Sequence, residues 1–148
     1  MKKSLLPVAL SLCLLPAAVP ADNHDPIAKR QDIMEQVRDA VKPLSAMNKG
    51  EMDFDAATVV ESLETFAMAA EKFGGLFPPG SDTGGNTEAK GTIWTDRAGF
   101  EARLADFGDA VKAAQESNPQ SLEEFKPVFL SVVKNCKDCH DGYRVEKD

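Results

Sequence analysis

The sequence predicts an all-α fold, an antiparallel four-helix bundle running up-down-up-down. Three observations carry this. Four segments repeat apolar residues at spacings of three and four, the stripe that a bundle buries. Each segment is bounded by helix-starting and helix-stopping residues. No stretch alternates with period two over a useful length.

The first helix opens at Asp25-Pro26, a capping residue followed by proline at the first helical position. Its stripe is Ile27, Met34, Val37, Val41 and Leu44, ending near Lys49-Gly50, with Pro43 expected to kink it or end it early. The second begins after Asp55 and sets Val59, Leu63, Phe66, Ala70 and Phe73 on one face. Gly74-Gly75 and Pro78-Pro79-Gly80 stop it. A connection rich in Gly, Pro, Ser and Thr then runs from Phe77 to Trp94, long enough to be a linker or a functional segment. The third helix starts near Thr95-Asp96, carries Phe100, Leu104, Phe107, Val111 and Ala114, and ends at Asn118-Pro119. The fourth opens with the capping box Ser121-Leu122-Glu123-Glu124. Its stripe is Leu122, Phe125, Phe129, Val132, Cys136, Cys139 and Tyr143, and Pro127 is expected to bend its start or delay the regular helix.

Residues 1–21 stand apart from this pattern. Met1-Lys2-Lys3, an apolar run from Leu5 to Val19 and the small residues of Val19-Pro20-Ala21 have the make-up of a signal peptide cleaved after about Ala21. A membrane anchor is the alternative, but the run is shorter than the roughly 20 residues a span needs, and Pro7 and Pro16 interrupt it. Lipoprotein processing at Cys13 would want a small residue before it, where Leu12 stands. The leader carries Lys2 and Lys3 and no acid, so its removal takes the net charge from −7 to −9. That charge argues against nucleic acid or anionic membrane as a partner and favours one with a basic docking surface.

Losing Cys13 leaves two cysteines, both in Cys136-Lys137-Asp138-Cys139-His140. A disulfide across so short a loop would stabilise little. C-x-x-C-H is the attachment sequence for c-type haem. On a helix, Cys139 lies at about 300° and His140 at about 40° relative to Cys136, so all three face one neighbour. Two thiols are then placed for the haem vinyl groups and an imidazole for the iron. A thioredoxin-like dithiol would instead sit at a helix N-terminus after a strand. A zinc site wants about four ligands, and only the distant His24 is left to join these three. His24 reads as an exposed residue of the chain's start.

Further elements sit beside this motif: Arg30-Gln31 with Met34, Phe77-Pro78-Pro79-Gly80-Ser81-Asp82, Ile93-Trp94, and Tyr143-Arg144 after the histidine. Together they resemble the cytochromes c′, four-helix c-type cytochromes with a C-terminal haem motif, over residues 22–148. The resemblance implies one haem c, covalent through Cys136 and Cys139, with His140 as the metal ligand. It implies haem contacts for Arg30, Gln31 and Met34, for Thr87 and Glu88 at the haem edge, and for Arg144 beside the proximal histidine. Arg30, Gln31 and Met34 lie at about 0°, 100° and 40° on their helix. An arginine there can pair with a haem propionate, or stand as a solvated surface residue. Arg144 has its own alternative, complementing the dipole at a helix C-terminus.

In cytochromes c′ an apolar side chain at the Met34 position packs over the distal face and leaves the iron five-coordinate, high-spin and open to NO and CO. In related low-spin members a methionine there binds the iron and raises its potential. Both readings suit Met34, because methionine also fills irregular gaps well; the long loop and the Tyr143-Arg144 ending favour the open site. The expectation is therefore a periplasmic protein of electron transfer and NO or CO binding, with a six-coordinate His140/Met34 shuttle as the alternative. An enzyme would need an acid–base group above the iron, and none stands in the first helix's stripe. Family members are often dimers through their first two helices, which Val60, Ala67 and Met68 would permit.

Overall fold

The computed structural model describes residues 25–146; the expected signal peptide and His24 lie outside the described residues. Helix α1 spans Pro26–Lys49. The Asp25 carboxylate accepts from the Ile27 N–H at 2.8 Å, and Pro26 has no N–H to satisfy. The helix ends at Gly50, whose φ of 77° suits a residue without Cβ, its N–H turned to the Ala46 and Met47 carbonyls. Pro43 does not end it early: the lost hydrogen bond is outweighed by Leu44 and Met47, 1% and 0% exposed, which seat the last turns in the core.

Helix α2 spans Ala56–Phe73, capped by Asp55, which accepts from the Ala57 N–H at 2.9 Å and the Thr58 hydroxyl at 3.0 Å. A 3-10 turn, Gly74–Leu76, follows it. The connection is not wholly irregular, since a single-turn helix α3, Thr92–Thr95, forms at its end around the buried Ile93. Asp96 then caps α4, Arg97–Ser117, which stops at Asn118 in the left-handed region. Helix α5 spans Leu122–Tyr143. Its capping box is half as expected: Ser121 Oγ accepts from the Glu124 N–H, but Glu124 reaches back to the Gln120 N–H at 2.8 Å. Pro127 neither delays nor breaks it, falling early in a helix whose Phe125 and Phe129 are anchored in the core.

Helix α1 packs on α2, α2 on α4, α4 on α5, and α5 returns to α1, which closes the four-helix bundle. Its two halves differ. At one end Leu44, Met47, Val59, Leu63, Phe66, Val111, Ala114, Phe125, Phe129 and Val132 fill the interior. Phe125 joins Phe129 and Phe54 at ring-centroid distances of 5.4 and 5.9 Å. At the other end a smaller cluster of Phe77, Ile93 and Phe100 roofs the bundle, and the space between the two clusters is the cavity described below. Of the expected stripes, Met34, Val37 and Val41 are only half-buried because they face that cavity, and Ala69 is buried where Ala70 was expected.

The packed end and the caps each make a prediction. Phe66→Ala should cost about 3–5 kcal/mol in denaturant unfolding of the holoprotein, the range for deleting a buried aromatic ring. The Asp55 carboxyl is held below its usual value by the Thr58 hydroxyl and then by the Ala57 N–H. A depressed carboxyl contributes stability above its unfolded pKa of about 4 and loses it as pH falls through the lower folded value. The stability gap between wild type and Asp55→Ala, measured by denaturant titration, should therefore be constant at neutral pH and narrow below about pH 4.

Candidate functional site

Between the two clusters lies a cavity of about 760 Å³, within the range of roughly 300–1,000 Å³ typical of cofactor sites. Helix α5 contributes Asn135, Cys136, Cys139, His140 and Tyr143 to its wall, on the three-and-four spacing of one helical face, and Arg144 follows at its C-cap. Helix α1 contributes Ile27, Arg30, Gln31, Met34, Val37 and Val41, with Glu35, Arg38, Lys42 and Ser45 also on that side. Ala69 and Phe73 of α2, and Phe100, Leu104 and Phe107 of α4, line it with apolar surface. Asn86, Thr87, Glu88 and Ala89 approach from the connection. Every residue expected to touch the haem lines this one cavity: Cys136, Cys139, His140, Arg30, Gln31, Met34, Thr87, Glu88 and Arg144.

The α5 wall supplies the donor set. Cys136 and Cys139 are half-buried and not joined to each other. Burial pushes both thiols up, and the neighbouring Cys136 adds to the rise at Cys139. Thiols so disposed are poor thiolates, which counts against thiol–disulfide exchange as their work. His140 moves the other way: desolvation of its ring against the cavity wall lowers its pKa first, and the Arg144 charge lowers it further against Asp141 and Glu88. The neutral imidazole thus favoured is the form that binds metal.

Arg30 is the second feature. It is 5% exposed, so it is no solvated surface residue. Its Nη2 donates to the Ser81 carbonyl at 2.7 Å, and its guanidinium carbon lies 4.5 Å from the centroid of Phe77 and 5.8 Å from that of Trp94. Ser81 is itself buried, its hydroxyl donating to the Pro78 carbonyl, which also accepts from the Trp94 indole N–H. Nη1 of Arg30 is buried without any partner. A guanidinium nitrogen left so is costly unless an anion meets it, and burial already lowers the Arg30 pKa. Two thiols, one imidazole, an apolar chamber and an orphaned guanidinium nitrogen fit a haem with its vinyls, iron and propionate.

The connection binds back onto the end of α5. Gln31 Nε2 donates to the Asn86 carbonyl at 3.1 Å, holding the loop to α1. The Thr87 hydroxyl accepts from the Ala89 N–H, and the Glu88 carboxylate is taken by Arg144 at 2.7 Å. Backbone bonds join Lys90 N–H to the Tyr143 carbonyl and Val145 N–H to the Glu88 carbonyl. Lys90 Nζ and the Thr92 hydroxyl donate to the Asp141 and Gly142 carbonyls. Sequence reasoning missed Ser81 as Arg30's partner, Phe77 and Phe100 as chamber walls, and Asp96, which accepts from the Tyr143 hydroxyl. The Phe77-Pro78-Pro79-Gly80-Ser81 run was visible, but its fold onto Arg30 is a contact 51 residues away in the chain.

Known proteins match this arrangement from end to end. The sequence profile of the family described as Cytochrome C′ covers residues 25–144. Cytochrome c′ of Rhodopseudomonas palustris is 42% identical over 83% of this chain and 84% of that protein. A solved structure of that name superposes with a TM-score of 0.80 at 41% identity, over 84% of this chain and 98% of the other. Cytochrome c-556 of Agrobacterium fabrum is 31% identical over 98% of this chain and 97% of its own. The nitric oxide complex of a point mutant of cytochrome c prime from Alcaligenes xylosoxidans superposes with a TM-score of 0.73 at 25% identity, over 85% and 98% of the two chains. The chain belongs to the cytochrome c′ family, whose members carry covalently attached haem c.

Proposed function

We propose that the protein is a periplasmic c-type cytochrome that holds one haem c with five-coordinate, high-spin iron and serves in electron transfer and in NO and CO binding. The observation that carries this is the shared cavity, with Cys136, Cys139 and His140 on its α5 wall and Met34 on its α1 wall. In this reading the Cys136 and Cys139 sulfurs form thioethers to the vinyl groups, His140 is the metal ligand, and Arg30 Nη1 takes a propionate. When bound, the haem supplies one-electron chemistry and an axial position for small gases. Gln31, Thr87, Glu88 and Arg144 complete the rim.

Apolar side chains of the cavity lining support an open site. Val37, Val41, Ala69 and Phe73 present no donor or acceptor side chain, and an uncharged diatomic gas loses little by entering such surroundings. No second histidine stands among the described residues. The nitric oxide complex solved for the Alcaligenes relative agrees with this reading. On the α1 side of the cavity Glu35 and Arg38 are exposed and pair with each other at 2.8 Å, and the buried Arg30 is a cation with no proton to give at neutral pH. They offer no free acid–base group over the iron, and we read the protein as a carrier, not an enzyme. The second reading, a six-coordinate electron-transfer site with Met34 as sixth ligand, is favoured by the half-buried position of Met34 on the cavity itself.

The leader of residues 1–21 supports export to the periplasm. Among the described residues no helix is long and apolar enough to cross a membrane. The mature charge of −9 suits redox partners with basic docking surfaces and not nucleic acid. A homodimer through α1 and α2 would use Val60, which is exposed, with the half-buried Ala67 and Met68.

An absorption spectrum of the ferrous protein, matured with haem-attachment machinery and read with and without CO, tests the proposal. A high-spin spectrum that shifts on CO addition is expected; sharp low-spin bands indifferent to CO would establish the second reading instead, and absence of any Soret band would remove both. Met34→Ala should leave the spin state unchanged and enlarge the pocket, whereas a ligated site would turn high-spin. Arg30→Leu should retain the covalent haem and lower the reduction potential by roughly 30–60 mV, as loss of a nearby cation favours the oxidised iron (about 59 mV is tenfold for one electron). An unchanged potential in redox titration would take the propionate role from Arg30.

A further inference from the structure

We propose that Asp96 is a positioning residue for His140, acting through Tyr143. The inference rests on the reading of His140 as the iron ligand. Metal-binding histidines are usually oriented by a partner on the other ring nitrogen. Among the described residues no protein group hydrogen-bonds to the His140 ring. Its direction must then be set by the turn of helix that carries it, and that turn is held from three sides at Tyr143.

The Tyr143 hydroxyl donates to Asp96 Oδ2 at 2.9 Å. Its ring stands edge-on to Phe100, centroids 5.4 Å apart. Its carbonyl accepts from the Lys90 N–H at 2.9 Å. The Asp96 carboxylate is anchored in turn, since Oδ1 accepts from the Gly99 N–H at 3.2 Å as the cap of α4. One carboxylate thus ties the start of α4 to the end of α5, 47 residues on.

Gly99 shows that this junction is built into the sequence. Its φ is not positive, so the backbone does not call for glycine there, and glycine weakens a helix relative to alanine. What calls for it is space. A Cβ at position 99 would lie 2.2 Å from Asp96 Oδ2 and 2.6 Å from the Tyr143 hydroxyl oxygen. Both atoms are side-chain ends that can move, so a methyl group would separate the pair without unfolding the helix.

Three holoproteins test this: wild type, Tyr143→Phe and Gly99→Ala. The readouts are the Fe–His stretching band of the ferrous protein by resonance Raman and residue-resolved amide exchange. Both variants should shift and broaden the Fe–His band and speed exchange at residues 141–144 by about tenfold, the scale of one lost hydrogen bond to a charged group. Gly99→Ala is the sharper variant, because it keeps every polar group and raises helix propensity. A merely structural junction would leave the band unmoved, with any faster exchange spread evenly over the bundle; that result overturns the proposal. Wild-type protein lacking an Fe–His band would overturn the His140 reading and this proposal with it, an outcome distinct from a normal band that the variants fail to move.

Discussion

The site depends on the closed end of the bundle. A cavity of about 760 Å³ among four helices is a stretch where helices cannot hold one another by direct packing. Their separation there has to be set elsewhere. Leu44 and Met47 of α1, Phe66 of α2, Val111 of α4, and Phe125 and Val132 of α5 meet with almost no exposure and set it from below. Phe77 sets it from above, with Phe73, Trp94 and Phe100 around it at centroid distances of 5.2, 5.7 and 4.8 Å. Each buried aromatic side chain contributes on the order of 2 kcal/mol through apolar area alone. The chamber walls are therefore fixed by packing at their two ends, and Cys136 to His140 hang from a helix anchored at Phe125 and Phe129.

Arg30 adds an electrostatic constraint to that frame. Burying a guanidinium is costly unless its donors are met, and the structure meets them in part, with the Ser81 carbonyl for one nitrogen and the face of Phe77 for the charge. The nitrogen left over, Nη1, is the one where we propose that the haem propionate is met. Packing and charge agree here, since the residue that roofs the chamber, Phe77, also stacks on the cation that addresses it. Substituting Phe77 would loosen both at once.

Much of this was legible in the sequence because it is local. Asp25-Pro26, Asp55 and Ser121 announce helix starts through side chains that reach two or three residues on, and Cys136, Cys139 and His140 share a face by helical geometry alone. Most of the departures come from contacts beyond the local chain. Local rules let Pro43 end its helix early and Pro127 delay the next; burial of Leu44, Met47, Phe125 and Phe129 carries both helices through them. Glu124 turned to Gln120 instead of Ser121, a one-residue slip within a cap. Arg30 with Ser81, Asp96 with Tyr143 and Glu88 with Arg144 join residues 47 to 56 positions apart. No spacing rule reaches that far, so these contacts became visible only with the fold.

Arg144 shows how such a distant contact changes a local reading. By position it is a cation at a helix C-terminus, where it would complement the dipole. In the structure its backbone has already turned extended, φ −115° and ψ 135°, while its N–H still caps the His140 carbonyl. Its guanidinium is paired with Glu88 of the connection. The charge is thus held beside His140 by a loop residue, where it lowers the imidazole pKa together with desolvation. Glu88, in turn, bears on the cavity through Arg144 as well as by its own place in the lining. The connection from Phe77 to Trp94 is consequently a structural part of the site: at Ser81 it holds the buried guanidinium of Arg30, and at Glu88 and Lys90 it holds the turn that carries His140.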